Sequence, residues 1–450
     1  MLAAVAFMAQ LDLFIVNVAM PAIGATFAGS GLGVLSWILN GYTVVFAALL
    51  VPAGRLADQF GRRRVLMVGV VTFTAASVVC AFAPSVAVLV AGRAVQGAGA
   101  ALIVPTSLGL LWPTFPDREH NLVVGIWAGV AAIAGASGPT VGGLLVAVDW
   151  RWIFLINAPI GVVTLVGAYV VVPEVKDAGE ARLPDLLSAV ALLAAVFLIT
   201  LVTIEGGEWG WGSPRGLVLL LAALAAVALT VWRSRSHPHA LLEARLFTSP
   251  PFTAATAALF LFFLAFSAWL LGSVLFLQDV WHYDALHAGL AIAPGPLMAV
   301  VAAFGSSRLA GLFGRPLTAA FGTASFAAAG AFWYVAAVPE PGYVAHFLPG
   351  LLLCGIGSGL TQAPLFAAVT TLPSDRATTG SAVLNTSRQI GSALGVAVQV
   401  ALLGTSHSGV TGFRRGWLFV FGSSVAAAIV AFFGSRRDSR SARRGIRSDI

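Results

Sequence analysis

Apolar residues in this 450-residue chain fall in long runs rather than in short alternations. Each run lasts about twenty residues, the length at which an α-helix rising ~1.5 Å per residue crosses a hydrocarbon layer of ~30 Å. Read in order, the runs predict fourteen spans near residues 2–27, 36–54, 65–83, 86–111, 122–148, 152–172, 184–204, 215–232, 252–277, 288–312, 316–338, 344–371, 380–404 and 416–434. The loops between them leave no room for a soluble domain. Strict two-residue alternation is absent, which argues against a membrane β-barrel. The pattern predicts an all-α integral membrane protein.

Composition agrees. Hydrophobic residues make up 59% of the chain and charged residues 10%, against about 25% charged in soluble domains. The first run is not a secretory signal, because it lacks a basic leader, holds Asp12, and is followed by many more spans. Cys80 and Cys354 both fall in apolar runs and read as small buried hydrophobes, with no disulfide framework or metal spacing.

The net charge of +7 changes the picture only through its distribution. Placing the N-terminus in the cytoplasm puts 19 of the 25 Lys and Arg in cytoplasmic segments and four in external loops. That bias predicts both termini inside and argues against nucleic acid as a partner. The last residues, 435–450, read as a disordered basic cytoplasmic tail held at an anionic membrane surface.

RLADQFGR at 55–62 recurs as RLAGLFGR at 308–315. Each copy follows the second span of a six-span block. The chain therefore divides into an N-terminal six-helix bundle (1–172), two inserted helices with their linkers (173–245), a C-terminal six-helix bundle (246–434) and the tail. Two repeated bundles with a site at their midplane interface make a transporter architecture.

Within this frame a few polar residues carry the candidate chemistry. Asp12 lies near mid-membrane, where a charge costs roughly 2.5–3.5 kcal/mol on insertion scales. Burial favours its neutral form and a neighbouring guanidinium the charged one, so a carboxyl between the two can exchange a proton. Arg93 is the expected partner, with Gln96, Gly97 and Ala100 following on the same helical face. Asn385, Arg388, Gln389 and Ser392 form a polar stripe at helical spacing, expected to line a cavity or to bond neighbouring helices. Trp37 and Asn40 make a weaker pair of the same kind. Gly135, Gly138 and Gly142 share one face, with Pro139 and Gly143 beside it, a pattern for close and bendable packing. The loop holding Gly54, Arg55, Asp58, Gly61 and Arg62 needs its glycine for a turn. Asp58 is free there to cap a helix or pair with an arginine, whereas Gly311 stands at its place in the second copy.

LDLFIVNVAMP (11–21), GRLADQFGRRRVL (54–66), GRAVQGAGAALIVP (92–105), GASGPTVGGLL (135–145) and WRWIFLINAPIG (150–161) together resemble the major facilitator superfamily, specifically its fourteen-helix drug–proton antiporters. The resemblance covers essentially the whole chain. It implies proton-driven efflux of amphipathic small molecules by alternating access, without a cofactor, by a monomer in the cell membrane. It also implies a short cytoplasmic leader upstream of Met1 and a sealed contact at the Gly135–Gly143 segment. An exporter or importer of one metabolite or siderophore on the same fold is the rival reading. Span 13 offers Asn385 and Gln389 where some drug exporters carry acids, so the expected substrate is amphipathic or monocationic rather than doubly charged. GASG also fits an intramembrane serine protease motif, but all seven histidines lie in loops or at span edges, where none can serve as base.

Overall fold

The computed structural model describes residues 2–111, 116, 119–174, 185–210, 212–236, 244–373, 377–404 and 409–445. Among the described residues, fourteen long helical segments follow one another: α1 (Leu2–Thr26), α2 (Leu32–Phe60), α3 (Arg62–Ala81), α4 (Val86–Gly109), α5 (His120–Val146), α6 (Trp152–Val171), α7 (Leu186–Trp209), α8 (Pro214–Ser236), α9 (Pro250–Val280), α10 (Ala285–Phe313), α11 (Arg315–Ala336), α12 (Tyr343–Thr371), α13 (Ala377–Gly404) and α14 (Val410–Gly445). Among the described residues, twelve are long and apolar enough to cross a membrane. Helices α5 and α13 match them in length, with 27 and 28 residues, but are not among the twelve. In α13 the polar stripe dilutes the apolar content.

Two helices are broken. Ile156 interrupts α6 and leaves Asn157 as the first residue of its longer piece. Ala293 interrupts α10 just before Pro294, whose ring has no N–H to continue the ladder. Helix α14 runs unbroken to Gly445, so residues 435–445 are helical where a disordered tail was expected. The reason is local: that segment alternates Arg, Ser and Ala with no proline, and nothing stops a helix already formed. Residues 446–450 lie outside the described part.

The first six helices pack together, α4 on α2 and α3, and α1 on α5. The last six do likewise through α9–α13, α9–α14, α11–α14, α11–α12 and α10–α12. The two groups meet mainly through α2 against α13 and α5 against α10. Helix α7 seats on α2 and α13 at that seam, and α8 packs on α7 from outside. At one end of the pair Asp185 caps α7 and takes a bidentate bond from Arg233 of α8, at 2.8 and 2.9 Å. Burial alone would raise the Asp185 carboxyl. The Arg233 and Ser188 hydrogen bonds outweigh it and hold the group well below the usual carboxylate range. Large apolar side chains such as Val170, Phe304 and Val335 stay exposed on the outside, as lipid requires and water would not tolerate.

Candidate functional site

Asp12 is 1% exposed, halfway along α1. Its carboxylate forms an ion pair with Arg93 Nη1 of α4. Gln96 Nε2, one turn beyond Arg93, donates to Oδ1 at 2.7 Å, and Asn157 Nδ2 of α6 donates to the same oxygen at 2.9 Å. Ser77 Oγ of α3 accepts from both amides, at 2.8 and 3.4 Å, and donates to the Phe73 carbonyl. Arg93 is held besides by Ile38 O of α2 (2.9 Å), Gln96 Oε1 (2.6 Å) and the face of the Tyr42 ring, 4.4 Å from its Cζ. Four helices thus converge on one carboxylate. A buried ion pair needs such company, because desolvation otherwise cancels its attraction.

The fold brings together Asp12 and Arg93, the pair expected from sequence, whereas Gln96, expected in the substrate cavity, does not line it and bonds to Asp12 instead. Ser77 and Asn157 escaped the sequence reading. Asn157 could have been found, since it is a polar residue at depth inside the WRWIFLINAPIG stretch. Its placement depends on the break at Ile156, which no apolar pattern announces.

A cavity of about 30 Å³ lies between the two halves, beside this network. It holds a water or two, far less than the several hundred Å³ of a drug pocket. Arg93, Asn17 and Thr43 line it from the first half, and Ser267, Arg388 and Ser392 from the second. Of the predicted stripe, then, Arg388 and Ser392 reach the cavity. Gln389 does not line it and is buried with both amide atoms unpaired among the described residues, and Asn385 bonds back to Ser381 O of its own helix at 3.0 Å. Asn40 is fully buried with no partner for its amide among the described residues, and Trp37 packs on Phe197 of α7, ring centroids 5.0 Å apart.

The small face of α5 sits against both halves. A Cβ on Gly138 would come within 2.7 Å of Phe14 Cβ in α1, and Gly135 and Gly142 also face Phe14 and Ile15 at 3.0 Å. On its other side a Cβ on Gly143 would come within 2.5 Å of Ala285 O, and one on Gly289 within 2.3 Å of the Pro139 carbonyl oxygen, so α5 and α10 meet backbone to backbone. Ser137 in the same stretch donates to Ala134 O of its own helix.

At the arginine-rich end, Gly61 joins α2 to α3 with φ +102° and Gly314 joins α10 to α11 with φ +87°. Both torsions lie where side chains are strained. Asp58 pairs with Arg62 at 3.0 Å, and Arg62 Nη1 donates to Gly109 O, near the end of α4, at 2.8 Å. Arg315 reaches the end of α12 in the same way, through Thr370 Oγ1 at 2.8 Å and Ala367 O at 3.4 Å. The repeated loop therefore performs one task twice. Gly54 lies opposite Pro105 of α4, and Arg55 is partly buried near the end of α2.

Two helical bundles, a polar network at mid-depth and a cavity at their seam define a membrane transporter of the alternating-access kind. The chain belongs to the Major Facilitator Superfamily, whose profile matches residues 2–396. It is 35% identical over 400 residues to Multidrug resistance protein Stp of Mycobacterium tuberculosis, covering 88% of this chain and 74% of that protein. The Methylenomycin A resistance protein of Streptomyces coelicolor is also 35% identical, over 94% of this chain and 90% of its own length. Among solved structures, a POT family transporter in complex with 5-aminolevulinic acid superposes with TM-score 0.70 at 15% identity, covering 97% of this chain and 95% of that one. A D-xylose-proton symporter gives 0.67 at 15%, over 96% and 95%. At such identities the structures establish the fold alone.

Proposed function

We propose that this protein exports drugs or antibiotics across the cell membrane, exchanging them for protons by alternating access. The relatives supply the substrate class: several are named for resistance to, or export of, antibiotics. The gradient supplies the work, roughly 2.3 kcal/mol per proton charge per 100 mV, and no cofactor is used. All fourteen helices span the membrane in this reading, α7 and α8 standing between bundles 1–172 and 246–434. Both termini are cytoplasmic and the monomer is the working unit.

One observation carries the coupling role: Asp12 is a carboxylate sealed in the bundle with Arg93 as its one cationic partner among the described residues. Protonation removes the negative charge that Arg93 pairs with, so it ends the ion pair and loosens α1 from α4. A difference of a few kcal/mol there suffices to favour one access state. The Gly143–Ala285 and Pro139–Gly289 contacts seal the external end, and the Asp58–Arg62 loop steadies the cytoplasmic end. In this scheme Gln96 and Asn157 hold Asp12, while Asn17, Arg388 and Ser392 meet substrate.

The test is Asp12→Asn in everted vesicles. Asparagine keeps the volume, and Arg93 keeps Ile38 O, Gln96 and the Tyr42 ring, so the fold survives. Substrate-dependent proton release should vanish while downhill movement continues. A wild-type substrate gradient in the mutant would make Asp12 structural. Cysteines at Gly207 and Ser439, labelled from opposite sides, check the orientation.

A further inference from the structure

The two guanidiniums that line the cavity have unequal partners. Arg93 spends its charge on Asp12, although its Nη2 bonds to nothing among the described residues. Arg388, on α13, has no carboxylate within ion-pair reach and no hydrogen-bond partner among the described residues, and its Nε is sealed from solvent. Its only marked contact is the Phe263 ring, 5.4 Å from Cζ. An arginine kept for helix packing bonds to backbone carbonyls, as Arg93 does to Ile38 O and Arg414 to Ala337 O at 2.9 Å. Arg388 does neither.

An uncompensated charge at this depth is costly unless something completes it. Asp12 does not, because its single negative charge is already paired with Arg93. The pair and the lone arginine together leave the cavity one positive charge in excess. Around Arg388 stand neutral hydrogen-bonding groups, Asn17, Thr43, Ser267 and Ser392, and the apolar walls of Phe14 and Phe263.

We propose that the cavity, closed down to a water or two as it stands, opens with alternating access to select amphipathic organic anions, a carboxylate or acidic phenolate docking on Arg388 with its apolar body against Phe14 and Phe263. A planar guanidinium matches a carboxylate with two parallel N–H bonds, and the water-poor site strengthens them. This rests on the proposed export reading, whose cavity it uses, and it replaces the monocation expected from sequence with the opposite charge.

Two xanthene dyes of similar size test it: fluorescein, an anion, and rhodamine 6G, a cation. Their binding to the purified full chain is measured by fluorescence polarisation, and their efflux in vesicles. Wild type should bind fluorescein at least tenfold more tightly. Arg388→Gln should erase that preference, and Arg388→Lys, which keeps the charge without the fork, should retain part of it. Tighter rhodamine binding by wild type, with transport intact, overturns the inference and leaves the export reading standing. So does an Arg388→Gln variant that keeps the anion preference, or one that loses both dyes equally. Failure of wild type to bind or move either dye overturns the cavity reading and this inference together.

Discussion

Helices α4 and α12 occupy corresponding places in the two halves, and their glycines do the same work. A Cβ on Gly97 would strike Tyr42 O of α2 at 2.4 Å, and one on Gly99 would strike Phe73 N of α3 at 2.7 Å. In α12, a Cβ on Gly355 would strike Gly295 O of α10 at 2.3 Å, and one on Gly357 would strike Gly322 O of α11 at 2.8 Å. Backbone thus touches backbone on the same two sides in each half. Yet four residues before Gly97 stands Arg93, and four before Gly355 stands Leu351; Gln96 corresponds in the same way to Cys354. Both Leu351 and Cys354 are buried in an apolar core. The repeat has kept the packing that builds a bundle in both halves and the charge chemistry in only one. The second half instead puts a carboxylate-free arginine, Arg388, on α13, facing the seam.

The comparison breaks hardest if the first half is made to resemble the second. Arg93→Leu strands Asp12 and should lower stability by about 3 kcal/mol, the usual cost of unpairing a buried charge. Adding Asp12→Ala should recover most of that loss and leave a folded protein with no proton coupling. Thermal unfolding in detergent and vesicle proton release read the two effects separately. A double mutant as unstable as the single would mean that the pair is not the isolated insertion it looks.

The shared packing gives a symmetrical expectation. Gly97→Val and Gly355→Val should each cost about 1–3 kcal/mol by overpacking, visible as matched drops in unfolding temperature. Damage confined to one half would end the parallel between α4 and α12.

The smallest effect concerns α7 and α8, which neither half contains. Asp185→Asn should weaken their clamp by roughly 1–2 kcal/mol, the worth of a charge-assisted bond. Because the folded carboxyl sits below its ordinary value near ~4, the clamp is fully present above that value. It is lost only as pH falls through the lower folded one. Cysteine cross-linking between α7 and α8 should therefore be flat from neutral pH down to about pH 5 in wild type. A decline there would show that Asp185 is not held by Arg233.

Much of this protein was legible before any contact was known. Spans are local: twenty apolar residues determine membrane insertion by summed transfer energy, whatever their neighbours. The repeat at 55–62 and 308–315 was visible as text, and its two arginines do reach matching helix ends. Asp12 and Arg93 stood out because charges at depth are too costly to be idle. Tertiary structure decided the rest. The stripe on α13 was plain, but only the angle at which α13 meets α2 and α9 turned Arg388 and Ser392 to the cavity and Gln389 away. Trp37 looked like cavity wall until α7 covered it. Asn157 became a ligand of Asp12 through a break in α6. Hydropathy records how a segment meets lipid, whereas side-chain partners are set by which helix surfaces finally touch, and those surfaces belong to residues far apart in the chain.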